Sequence, residues 1–197
     1  MLISDEKQQP PATDGRVRRS ERSKAAIVHA LFELIGEGVT APTADEVAER
    51  ASIGIRTVFR QFKDMDTLYG ALDVLLYQRY EPVLLAPVPE ASIEERIDEF
   101  VARRTKGYES IAPYKRAANI KRARSEFLQE RHDALVSTMS KDLRRWFPEL
   151  KHMDAPTVHA LELVTSFEAW DRLRIDQRLG KQRAAEAMTR AMSALLE

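Results

Sequence analysis

At 197 residues the chain has room for one large or two small domains, and 44% apolar content is ordinary for a globular core. The absence of Cys excludes disulfides and Cys-based metal centres. The formal net charge is zero, so a nucleic-acid partner can be argued only from how the charge is distributed. The longest apolar runs, such as residues 83–86, are far too short to cross a bilayer, and the start of the chain lacks the apolar stretch of a signal peptide. A cytoplasmic protein with no membrane partner is expected.

Residues 1–15 are polar, with a Pro pair and a Gly, and read as a mobile tail. The basic stretch Arg16, Arg18, Arg19 and Arg22 follows, and a first helix is expected from about Ser20 to Gly36. Its stripe is Ile27, Leu31, Leu34 and Ile35, and Gly36 and Gly38 end it. Thr43-Ala44-Asp45-Glu46 has the form of a capping box opening a short second helix, with Val47, Ala48 and Ala51 inward. A tight break at Ser52-Ile53-Gly54 leads into a third helix, where Val58 and Phe62 pair with Ile53 in the core. This leaves Ile55, Arg56, Thr57, Phe59, Arg60 and Gln61 toward the outside. Between residues 16 and 63 there are nine basic side chains against six acidic ones, gathered at the arm and around the third helix.

Two short helices joined by such a turn form a helix-turn-helix unit, whose second helix can lie in the major groove of DNA. The run Ala51-Ser52-Ile53, then Thr57-Val58-Phe59-Arg60-Gln61-Phe62, then Lys63-Asp64, resembles the DNA-binding end of the TetR family of dimeric repressors. The resemblance implies phosphate contacts from the hydroxyls of Thr43 and Thr57 and base reading by Ile55 and Arg56. Phe59 stands at the family's usual Tyr position without its hydroxyl, Gln61 where His is frequent, and Met65 where many relatives carry Lys. Arg60 lies on the same outward surface, Lys63 can hold the phosphate that Met65 has no charge to hold, and Arg18 and Arg19 can reinforce binding.

Beyond this unit, Asp64 can cap a fourth helix striped by Leu68, Leu72, Leu75 and Leu76. Pro82, Pro87 and Pro89 mark a change of role near residue 85, which divides a DNA-binding domain (16–85) from a second domain (86–197). Ser92-Ile93-Glu94-Glu95 is a second capping box, opening a long helix expected to end before Pro113, with a short helix near 117–123. Another long helix spans about 125–147 and stops at Pro148. Pro156 suits a helix start, and one helix is expected from there until Gly180 separates it from a last, Ala-rich helix. No strand pattern appears, so the fold class is all-α, about nine helices.

The resemblance implies that the second domain binds an effector and dimerises. Phe100, Arg104, Tyr108, Leu135, Met139, Phe167 and Trp170 can converge on one cavity, with Arg104 holding a carboxylate, or else simply pack the core. Ala184, Ala187, Met188, Ala191 and Leu195 at helical spacing suit a close helix seam, in a dimer or within one chain. No catalytic constellation, metal-ligand spacing among the four His, or phosphate loop stands out, so neither enzyme activity nor a cofactor is expected. The reading is therefore a homodimeric, ligand-responsive DNA-binding regulator, a repressor on a pseudo-palindromic operator, with a largely apolar effector. The rival is a helical interaction protein, or an enzyme built on a bundle.

Overall fold

The computed structural model describes residues 12–84 and 86–196. Among the described residues there are nine α-helices and no strand: α1 (Ala12–Gly36), α2 (Ala44–Arg50), α3 (Ile55–Gln61), α4 (Met65–Leu84), α5 (Ile93–Arg122), α6 (Glu126–Trp146), α7 (Ala155–Val164), α8 (Phe167–Asp171) and α9 (Lys181–Leu196). A 3-10 turn (Pro148–His152) follows α6, and a wide π-type turn (Arg172–Asp176) extends α8. No described helix is long and apolar enough to cross a membrane. The chain divides into two compact units inside α4, between Leu72 and Asp73. That point precedes the proline-marked change of role near residue 85, itself outside the described residues.

In the first unit α1, α2 and α3 pack on one another. Ile27, Leu31 and Ile35 of α1, Val47 and Ala48 of α2, Val58, Phe62, and Leu68 and Leu72 of α4 are buried together by the periodicity read from the sequence. α1 starts well before Ser20, so Arg16 to Arg19 are helical and form no separate arm. Gly15 costs a helix interior only about 1 kcal/mol, too little to stop a run of good helix formers. Of the expected tail, residues 1–11 lie outside the described residues and 12–15 belong to α1. Past the end of α1, Gly38 takes φ +98°, a left-handed position that favours Gly, and Val39 N–H bonds back to the Leu34 carbonyl at 3.0 Å.

The second unit departs from the sequence reading at two places. α5 does not stop before Pro113; it runs through it to Arg122. An interior Pro costs a helix roughly 3 kcal/mol. Burial of Tyr108, Ala112, Tyr114 and Ala117 on both sides offsets that loss, since each large side chain contributes about 1.5–3 kcal/mol. Conversely, the single helix expected from Pro156 breaks at Thr165-Ser166 into α7 and α8. The Thr165 hydroxyl donates to the Leu161 carbonyl at 2.7 Å, and the Ser166 hydroxyl accepts from Ala169 N–H at 3.1 Å. Side-chain oxygens that bond the local backbone compete with helix continuation and start a new helix.

The core of this unit gathers Ile97, Phe100, Val101, Leu143, Trp146, Phe147, Leu161 and Trp170 around Ala184, Met188 and Met192 of α9. Phe100 stands edge-on to Trp146 and Phe147, with ring centroids 5.6 and 5.3 Å away. The chain's only two tryptophans, Trp146 and Trp170, are both buried here.

Candidate functional site

Two regions hold the candidate site residues, one inside each unit. In the first, the capping box forms as read: Thr43 Oγ1 accepts from Glu46 N–H at 3.2 Å, and the Glu46 carboxylate accepts from Thr43 N–H at 2.8 Å. The bonds that Thr43 donates to it, from its N–H and then its hydroxyl, hold the Glu46 carboxyl below its ordinary range. The Thr43 hydroxyl also donates to that carboxylate at 2.8 Å. Ser52 turns the chain at φ +54°, so α3 leaves α2 through a left-handed residue. Gly54 caps α3 with extended backbone and no side-chain bond, and a Cβ there would meet nothing within 4 Å.

On α3, Phe59 is 52% exposed, and Arg56 and Arg60 are exposed beside it. Ile55 and Thr57 are half-buried, and Arg60 Nη2 lies 3.5 Å from Thr57 Oγ1. Lys63 is exposed just after the helix. Gln61 lies on a different side: its amide exchanges bonds with the Ser20 hydroxyl at 3.1 and 3.2 Å and fastens α3 to α1. Arg50 is likewise spent on structure, gripping Glu37 with both Nη atoms at 2.7 and 2.8 Å. Arg18 and Arg19 are exposed on α1. The surface is therefore a short, firmly seated helix presenting an aromatic ring and two guanidinium groups.

In the second unit, five of the seven residues expected to converge do so. Arg104, Tyr108, Leu135, Met139 and Phe167 line one cavity of only about 70 Å³. Phe100 and Trp170 do not line this cavity and belong to the packed core. The two polar groups are already committed. The Thr165 carbonyl, left without a helical partner where α7 breaks, accepts from the Tyr108 hydroxyl at 2.7 Å and from Arg104 Nη1 at 3.4 Å. Arg104 also pairs with Asp142 at 2.9 Å and donates to the Met139 carbonyl at 3.1 Å. Burial pushes the Tyr108 hydroxyl above its ordinary pKa.

A larger cavity of about 370 Å³ shares Ile111, Lys115, His132 and Leu135 with the small one. Its apolar wall includes Leu76, Tyr114 and Leu128, and its polar wall Asp73, Asn119, Arg122, Arg131 and Thr138. Asp73 faces Arg131 at 3.4 Å, yet burial holds its carboxyl above the ordinary range. Lys115 Nζ lies 2.6 Å from His132 Nδ1; the ammonium has only hydrogens to offer, so that ring nitrogen accepts. Burial lowers both groups' pKa values; the nearby Glu168 carboxylate opposes the shift, and repulsion from Arg122, and for His132 first from Lys115, adds to it. Arg122 Nη1 is buried with no hydrogen-bond partner among the described residues. Nothing in the local sequence signals this side chain, because the cavity around it is assembled from α4, α5 and α6.

Of the seam residues on α9, Ala184 and Met188 face the core of their own chain, and Leu195 packs against it. Ala187 and Ala191 are half-buried.

No family model matches the sequence, and no curated protein matches it. Solved structures do match the fold. One, described as a TetR-family transcriptional regulator of Mesorhizobium loti MAFF303099, superposes with a TM-score of 0.65 at 16% identity, covering 90% of this chain and 96% of its own. A transcriptional regulator of Rhodococcus sp. RHA1 gives 0.63 at 18% identity, covering 90% and 95%. A TetR-like regulator of the same organism gives 0.57 at 16%, covering 94% and 97%. The chain has the all-helical fold of these regulators, the first and third of which are described as TetR-type.

Proposed function

We propose that the protein is a DNA-binding transcriptional regulator that works as a homodimer and responds to a small molecule. The observation that carries this reading is the outward face of α3, with Phe59, Arg56 and Arg60 all exposed. A ring and two cations turned to water on a seven-residue helix are poorly explained by solvation alone. They suit thymine methyls, guanine edges and phosphates. In this reading Ile55 and Arg56 meet bases, while Thr57, Arg60 and Lys63 meet the backbone, with Arg18 and Arg19 adding charge from α1. Thr43 serves α2 first, since its hydroxyl is engaged with Glu46 in both directions.

One such helix neutralises few phosphates, and two copies double the contacts. A symmetric dimer then reads half-sites about one DNA turn, roughly 34 Å, or a multiple apart. The half-buried Ala187 and Ala191 of α9 are the seam residues left for a second copy. Repression is the expected mode, with the second unit's cavities receiving the effector. A ligand can shift DNA affinity only by its differential affinity for the two states of the protein.

The decisive experiment is selection of bound sequences from random DNA with the full chain, followed by affinity measurements at increasing salt. The expected result is a pseudo-palindromic site whose binding weakens log-linearly with salt. Recovery of no enriched sequence, or salt-independent retention, would overturn the DNA-binding reading.

A further inference from the structure

We infer that the larger cavity takes a small amphipathic monocarboxylate, whose anionic head is received by Arg122 and whose apolar body lies along Tyr114, Leu128 and Leu135. The assignment deepens the ligand-responsive reading above and rests on it. The polar wall carries three cationic side chains, Lys115, Arg122 and Arg131, against one carboxylate, Asp73. Asp73 is engaged by Arg131. Lys115 is turned to the neutral acceptor of His132. Arg122 is left with a buried Nη1 that meets nothing. A buried guanidinium N–H with neither water nor a partner is costly, and the planar fork of the half-buried Arg122 fits one carboxylate. Around it the wall is mostly aliphatic and aromatic, and about 370 Å³ lies in the usual range for small-molecule sites, about 300–1,000 Å³. Arg104, the other buried guanidinium, is not available, because Asp142 and two backbone carbonyls already satisfy it.

The test uses the full chain without DNA and two series of probes: decanoate, decanol and decylamine; 4-phenylbutyrate and the corresponding alcohol and amine. Binding is read by titration calorimetry. In at least one series the carboxylate is expected to bind about tenfold or more tightly than its alcohol, the size of one charge-assisted hydrogen bond, with the amine weakest. Arg122→Met should abolish that preference while leaving the alcohol's affinity unchanged. The free variant should melt at the same temperature or higher, since an unsatisfied buried group has been removed. Equal affinity for carboxylate and alcohol in both series, or a carboxylate preference that survives in Arg122→Met, would overturn the assignment. A variant that melts markedly lower would make Arg122 a structural group and overturn it as well. DNA affinity is measured separately: a carboxylate that binds through Arg122 yet leaves DNA binding unchanged would uphold the site and sink the ligand-responsive reading instead.

Discussion

The two units treat their polar side chains differently. In the first, bonds between side chains are spent on seating short helices: Thr43 with Glu46, Arg50 with Glu37, Gln61 with Ser20. The outward face of α3 is left to solvent. In the second, guanidinium groups tie segments distant in sequence together, Arg104 to Asp142 inside the core and Arg96 to Glu149 and Arg174 to Glu109 at its edge. There the unused donor is a buried one, Arg122 Nη1. A group left without a protein partner outside suggests a large, wet, charged ligand. One left inside suggests a small, desolvated one. The same chemistry, a guanidinium with N–H groups to spare, thus carries opposite meanings in the two places.

This contrast is most severely tested at Arg104. It is 3% exposed, and Asp142 is almost as deeply placed. Arg104→Ala leaves Asp142 to Arg145 alone, at 2.8 Å, and takes a donor from two backbone carbonyls, and should cost about 3 kcal/mol in urea unfolding. A loss comparable to an ordinary surface substitution would show that these pairs do not hold the second unit.

The next effect in size is at α3. Arg56→Ala should remove about 1–3 kcal/mol of discrimination at one base pair per half-site while leaving stability unchanged. Lys63→Ala should instead weaken all sequences alike and lower the salt slope by about 1 per half-site. Competition assays with single-base variants of the selected site separate the two. If both substitutions leave operator binding intact, α3 is not the reading helix.

Smaller effects test the seating of that helix. Thr43→Ala removes the capping box and should cost about 1 kcal/mol of stability. Ser52→Gly should gain something under about 1 kcal/mol, because Gly accepts the left-handed backbone that Ser holds at φ +54°. Thermal melts decide both, and a destabilised Ser52→Gly would mean that the Ser side chain contributes more than the backbone strain costs.

What the sequence reveals follows from distance along the chain. The boxes at Thr43–Glu46 and Ser92–Glu95 join residues three apart, and both form as read. The helical stripes of the first unit are equally local. Tyr108 and Arg104 mislead because their partner, the Thr165 carbonyl, lies 57 and 61 residues away and is freed only by a helix break. Pro113 misleads for a related reason: local propensity argues for a stop, and burial on both sides overrides it. Gln61 looks like part of the outward face until Ser20, 41 residues earlier, claims it. Arg122 could not be singled out at all, since a missing partner is legible only once every neighbour is known.

The placement of the tryptophans gives the chain a built-in optical asymmetry. Both indoles are buried in the second unit, and the first has none among its residues. Tryptophan emission, excited beyond the tyrosine band, therefore reports the melting of the second unit alone. With no native thiol to compete, a dye attached through a single introduced Cys on α1 reports the first unit independently. Two colours in one sample then measure whether the units unfold together or in turn.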